Sequence, residues 1–578
     1  MRGQPPELDV VRLHVTGADL AGRPTSKEEV LEALGELSAW DCLRLVGRLS
    51  ASLYLAESQL DRRLQRELID KVTWPAPDLR QRLHHLLSRG RVPFFQQQLY
   101  HLARLAVLHA SDREPDDFRN GEDLGKFFLG LFGVTDLFDA ELGDKPNREQ
   151  VLSWALRQAA INHDEERLTL WSMYYEVFHE IWPSLGGSTD PEDAFQRYTG
   201  ISILDFLTIG FALGVGLGQE TDAGAPRGQI QPAEWFGEGK LEKAKWEAFL
   251  AASAGDLQDL REAIKGEQDE RGEVPFRSLA MERRPLVSGP DGLCYVLNLP
   301  SLEWRSTHGI FHILAEGAVD EGFDRELYTA PFGRAFQIWA EGCIRRAEKA
   351  AQGEAAQIFA DVPYGPKGQR RDTPDVVVRD ERQIAVVEVV AGPLQSKTVT
   401  HGDLDAFERD LDKLIFKKAK QLTDRIADIE RGDAAEIGLD AEGVGRIWPV
   451  IVTAAPFPVW TPVMREIRAR LKRAGFLQSK RTGPICVISG EELAAAESEM
   501  EQTKIPFVAL LAEWKSRPQT GDLWLKNFLV HRAKGREGGA PSPRHHKEMW
   551  RRASREMFMR LFGHPGPDVS EADEGIAA

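Results

Sequence analysis

The chain has 578 residues, a hydrophobic share of 42% and a formal net charge of −17. That length admits several domains and that share is globular, while the acidic balance excludes a surface uniformly basic for nucleic acid and leaves room only for a small, focused basic cleft. The cysteines, Cys42, Cys294, Cys343 and Cys486, lie far apart, which argues against a disulfide framework or a zinc knuckle and fits a reducing cytoplasm.

Met1 to Leu20 carries Pro5, Pro6, Glu7 and Asp9 where a secretory signal needs a basic start and an apolar core. From Ser26 to about Leu217 the pattern is helical. Ser26-Lys27-Glu28-Glu29 is a capping box, and Leu31, Leu34, Leu37 and Trp40 recur behind it at helical spacing. Further helices are predicted over Leu43–Leu68, Phe94–Ala110, Arg148–Asn162 and Leu168–Trp182. No fixed period supports a repeat solenoid. Residues 1–220 thus read as an α-helical scaffold or recognition domain, a surface for a protein partner.

His163-Asp164-Glu165-Glu166 has metal-binding residue types, but four consecutive residues cannot face one point on a helix, and a solvated helix start fits them better. Ile201–Gly218 is apolar yet carries Asp205 and several glycines, which marks a buried core helix and no membrane span. Residues 221–324 read as a linker and mixed adaptor region. Gln219–Gln231 is its loop, helices follow near Lys240–Ala252 and Leu257–Lys265, and strands near Leu286–Leu297 turn at Gly289-Pro290-Asp291-Gly292.

Residues 372 to 392 concentrate the chemistry. They form two β-branched runs joined by a polar turn, Arg379 to Gln383, and therefore a hairpin. Alternation puts Ile384, Val386, Glu388 and Val390 on one face and Ala385, Val387 and Val389 on the other. Glu388 is the only charge in its run. Asp375 opens the first strand, so pairing brings two carboxylates together, and they repel unless a cation lies between them. Without chemistry, the same residues make a buried hairpin whose Glu is paired to an Arg.

Pro374-Asp375 and Glu388-Val389 resemble the signature of the PD-(D/E)XK nuclease superfamily, Pro-Asp on one strand and Glu-x-Lys on the next, with Val390 in place of the lysine. The resemblance covers roughly residues 325 to 495. It implies Asp375, Glu388 and the Val389 carbonyl as ligands of Mg²⁺ or Mn²⁺. It also implies a glutamate on the preceding helix, Phe332–Ala350, at the position of Gln337; Glu341, one turn on, either supplies that carboxylate or pairs with Arg345. Asp403–Ile429 is predicted as one long helix, and its Lys418-Ala419-Lys420-Gln421-Leu422 resembles an element that follows the hairpin in this fold. There Lys418, beside Gln421, takes the role of the missing lysine, with Lys397 the alternative.

Tyr364-Gly365-Pro366-Lys367-Gly368-Gln369-Arg370-Arg371 is a basic loop, either a phosphate contact through Lys367, Arg370 and Arg371, joined by Lys397, or a solvated turn. Trp448–Ala454 and Pro484–Ser489 are further strands, with a helix over Pro462–Ala474 and a helical coda over Glu491–Lys515. Arg544–Phe562 is a basic amphipathic helix that binds nucleic acid, a partner, or the acidic body of its own chain.

The expected fold is an α-helical N-terminal half plus an α/β restriction-endonuclease-like core with a mixed central sheet. The core occupies residues 325–500, and 501–578 form a helical coda and basic tail. What the resemblance implies is a cytoplasmic, Mg²⁺-dependent nuclease acting on DNA in a restriction or phage-defence setting. The alternative is an inactive nuclease-fold module that binds nucleic acid or protein. No Gly-x-x-x-x-Gly-Lys-Ser/Thr loop is present, so any ATP-driven partner is another chain.

Overall fold

The β-branched runs of the C-terminal half build a five-stranded mixed sheet. The computed structural model describes residues 14–55, 61–116, 118, 121–142, 147–159, 167–186, 190–219, 226–237, 239, 241–268, 277–353, 357–365, 370–517, 521–533 and 543–564. The sheet strands are β1 (Gln357–Phe359), β2 (Val376–Arg379), β3 (Gln383–Val390), β4 (Arg446–Thr453) and β5 (Cys486–Ser489), in the order β5-β4-β3-β2-β1. β1, β2 and β3 pair antiparallel, whereas β3, β4 and β5 run parallel.

Helix α1 (Glu326–Gln352) precedes the sheet and packs on one face, where Phe332, Phe336, Trp339 and Cys343 join Val376, Val378, Ala385, Val387 and Val389 in one core. The opposite face, with Val377, Ile384 and Val386, is covered by α2 (Lys417–Arg431) and α3 (Thr461–Ala474). Val376, Val377, Val378, Ile384, Val386 and Val387 are fully buried, each side chain contributing about 1.5–3 kcal/mol relative to exposure. This two-sided burial fixes the register, because a slip of one residue would turn Glu388 into the α1 core.

The connection from β3 to parallel β4 passes through Ser396–His401 and then the long helix predicted over Asp403–Ile429, which runs unbroken from Leu404 to Arg431 with Asp403 as N-cap. Within it, a π-helical turn, Leu411–Phe416, separates Leu404–Asp410 from α2. A π-turn holds one extra residue, so everything beyond it is rotated by about 100° relative to an unbroken α-helix.

In the N-terminal half, Ser26 and Glu29 close the capping box, with Glu29 N–H donating to Ser26 Oγ at 3.2 Å and Ser26 N–H to Glu29 Oε2 at 2.9 Å. The stretch predicted as one helix over Leu43–Leu68 is two, Ala39–Leu55 and Arg62–Lys71, the second started by an Asp61 cap. The helix predicted over Leu168–Trp182 opens into a π-turn at Glu176–Ile181. A second core joins these N-terminal helices to Leu257, Leu260, Ile264, Val287, Tyr295 and Leu297, beneath a small sheet of Gln229–Ile230, Cys294–Val296, Leu286–Ser288 and Ala254–Asp256.

Ile203–Gly218 is buried almost throughout, and no single helix among the described residues is long and apolar enough to cross a membrane. His163–Glu166 lies outside the described residues.

After β5 come α4 (Gly490–Thr503) and a separate helix, Phe507–Ser516, where one coda helix was expected. The basic helix α5 (Arg544–Phe562) docks on its own chain, burying Met549, Ala553, Met557 and Leu561. Arg560 Nη1 donates to Asp205 Oδ1 at 2.6 Å and Tyr175 OH to Glu556 Oε2 at 2.9 Å.

Candidate active site

Extending the β2–β3 register, in which Val376 faces Val387, sets Asp375 opposite Glu388. Both side chains project to the α2 face, since Val377 and Val386, two residues away on each strand, belong to that core. Here α2 delivers its first inward cation: Lys418 Nζ donates to Glu388 Oε2 at 2.8 Å and lies 3.8 Å from Asp375 Oδ2. The side chains of Glu388, Lys418 and Asp375 are 8%, 20% and 21% exposed, so the cluster is shielded from bulk water but open on one side.

Asp375 Oδ2 also accepts the Val389 N–H at 2.6 Å. The neighbouring Val390 carbonyl accepts from Ala454 N–H at 3.1 Å, so the backbone groups of Val390 point at β4 and those of Val389 point the other way, towards Asp375. The Val389 carbonyl therefore faces the same side as the carboxylate pair. Pro374, which would oppose it, has no N–H to give.

Burial pushes the Asp375 carboxyl above the usual carboxylate range, against the pull of Lys418 and the Val389 N–H. Glu388 is raised for the same first reason, with Lys418 opposing and the charge of Asp375 adding to the rise. Two carboxyl groups with a carbonyl beside them form an all-oxygen donor set of the kind a hard divalent ion takes. The donors present fit Mg²⁺ or Mn²⁺.

The other predicted residues fall elsewhere. Glu341 accepts from Arg345 Nε at 2.7 Å, the i, i+4 alternative, and with Gln337 it rides on α1, the helix across the sheet from the carboxylates. Gln421 is exposed one turn beyond Lys418. Lys397 is exposed on Ser396–His401 and has no ion pair among the described residues, so Lys418 is the lysine that meets the acids. Arg370 is exposed, but Arg371 is held by Asp428, with Nη1 donating to Oδ1 at 2.9 Å and to Oδ2 at 3.0 Å. Lys367 lies outside the described residues.

Sequence reasoning missed several neighbours. Arg425, two turns beyond Lys418 on α2, acts electrostatically on Glu388 and donates to Tyr364 OH at 3.2 Å. Tyr364 OH in turn donates to the buried Asp428 at 2.7 Å. At the other edge Arg334 Nη2 donates to Asp361 Oδ2 at 2.8 Å, and both charges are felt by Asp375. Spacing seven residues from Lys418 was a readable signal for Arg425. Nothing local marked Asp361 or Arg334. Across known proteins, no family model, curated protein or solved structure matches this chain.

Proposed function

We propose that the chain is a Mg²⁺-dependent hydrolase of phosphodiester bonds in DNA, built on a restriction-endonuclease-like core. The observation that carries this reading is the convergence of Asp375, Glu388 and Lys418, from two strands and a crossover helix, on one partly open spot. The mixed sheet with helices on both faces is compatible with that core, and the Asp and Glu stand where the superfamily signature has them.

Asp375, Glu388 and the Val389 carbonyl would hold the ion. When bound, the ion supplies Lewis acidity, lowering the pKa of an attacking water and neutralising charge on the scissile phosphate. Lys418 presents a fixed cation on the same face, aimed at the charge that develops on the phosphate. The Val389 N–H orients the Asp375 carboxylate. Nearby, Arg425 adds positive potential along α2, where an incoming polyanion needs it.

Nicking of supercoiled plasmid in Mg²⁺ tests the reading. Asp375→Ala and Glu388→Ala each lower it by roughly 10²–10³-fold; activity that survives both substitutions overturns the assignment. A second reading, an inactive nuclease-fold module that binds DNA or protein, is favoured by Val390 and Gln337, which are neutral where the superfamily carries charge. It predicts DNA binding with no Mn²⁺ uptake by calorimetry and no turnover.

A further inference from the structure

On the α1 side of the sheet, remote from the carboxylate pair, Cys343 of α1, Glu497 of α4 and His546 of α5 come together in full burial, at 0%, 1% and 0% exposure. Their ligand atoms all lie within 4.8 Å of one another. His546 Nε2 is buried without a hydrogen-bond partner, although it stands 3.5 Å from Glu497 Oε2. At that distance the contact is long for a hydrogen bond, and Cys343 Sγ shares the same cluster.

The separation has another meaning. Nitrogen and oxygen ligands lie about 2.0–2.2 Å from zinc, and at a tetrahedral angle two such ligands stand about 3.3–3.5 Å apart. That is the spacing of His546 Nε2 and Glu497 Oε2. The surroundings complete the case. Ser172 Oγ holds His546 Nδ1 at 3.0 Å, fixing the ring. Arg346 Nε donates to Glu497 Oε1 at 2.7 Å, and its Nη2 donates to Glu497 Oε2 at 3.1 Å and to Cys343 Sγ at 3.2 Å. These contacts hold the Glu497 carboxylate, the Cys343 sulfur and the His546 imidazole in place, as outer contacts do for metal ligands.

We propose that Cys343, Glu497 and His546 bind a transition-metal ion of the zinc class, a site separate from the Mg²⁺ site and independent of the nuclease reading. Sulfur and imidazole donors select a softer ion than the all-oxygen pair at Asp375 and Glu388. Among the described residues no fourth Cys, His, Asp or Glu joins the three. Binding forms a metal–sulfur bond and breaks the Cys343 S–H bond, and the proton leaves to solvent. The ion fastens α5 to α1 and α4.

Elemental analysis and Co²⁺ titration of the full chain, purified without chelator, test the site. The expected result is about one ion per chain, a sulfur-to-cobalt charge-transfer band, and at least a tenfold loss of uptake in Cys343→Ser and in His546→Gln. X-ray absorption of the zinc-loaded wild type, which needs no variant to fold, should show one sulfur among nitrogen and oxygen neighbours. Uptake in either variant equal to that of the wild type, a shell without sulfur, or a wild type that takes up neither zinc nor Co²⁺ overturns the proposal. The last of these leaves Glu497 as the partner of Arg346 and no more.

Discussion

Lys418 and Glu388 stand thirty positions apart in the chain and 2.8 Å apart in space, and no element between them is dispensable to that meeting. β3 carries the acid, the crossover brings the lysine, and the π-turn sets the angle at which it arrives.

Lys418→Met should separate chemistry from folding. Removing one partner of a shielded ion pair costs about 3–5 kcal/mol when burial is complete; with Lys418 20% exposed, the expected loss is about 2–3 kcal/mol in chelator, read by urea unfolding. Added Mg²⁺ should recover part of that loss, because it neutralises the same acids. Plasmid nicking should fall by roughly 10²–10³-fold.

Val390→Lys in the Lys418→Met background should restore part of the activity. Val390 is half-buried two residues beyond Glu388, on the Glu388 face of β3. A lysine there reaches the carboxylates from the strand rather than from the helix. Recovery of nicking to within about tenfold of wild type is the expected outcome, and no recovery would show that only the α2 direction is productive.

Deleting Asp412 should remove the π-turn and keep the Lys418–Glu388 contact. The deletion takes out the one residue that the turn Leu411–Phe416 holds in excess, so the segment becomes regular helix and α2 keeps the face it presents to the sheet. Circular dichroism should show unchanged helix content, and nicking should stay near that of the wild type.

Asp375→Asn should stabilise the metal-free protein at neutral pH. Burial raises the Asp375 and Glu388 pKa values, so the folded state binds more protons than the unfolded one between the ordinary carboxylate range, about 4, and the raised values. Stability then falls as pH rises through that window and stays reduced above it. Asparagine keeps an oxygen for the Val389 N–H and removes one of the two like charges. Thermal melts in chelator should show a higher Tm for the variant near pH 7, a difference that closes near pH 4.

Arg370→Ala, Lys397→Ala and Arg371→Ala should divide by what each side chain already holds. Arg370 and Lys397 are exposed, and each substitution should weaken DNA binding and lower the salt slope by about 1. Arg371 is bound to Asp428 at 2.9 Å, so its loss should appear chiefly in stability, measured by unfolding.

Much of the site was legible because strands have a period of two. Alternation alone set Glu388 with Ile384 and Val386 and against Val387, and the β2–β3 register did the rest. Helices were less readable. Spacing within α1 grouped Gln337 and Glu341 correctly along one helix, yet the sheet face that α1 covers is decided by packing across the chain. The π-turn left no mark in the pattern, because Leu411, Ile415, Lys418 and Leu422 also satisfy a regular helix. Contacts such as Tyr364 with Asp428, or Cys343 with Glu497 and His546, join distant segments, and cysteine spacing could not announce them.

The counter-charge of the acid pair rides on the connection to β4 and not on the hairpin itself. Any fragment that ends between residues 390 and 418 keeps both acids and loses the Lys418 ammonium that meets them. The minimal separable unit is thus the hairpin together with its whole crossover, and a chain still being synthesised cannot complete the triad until α2 has emerged.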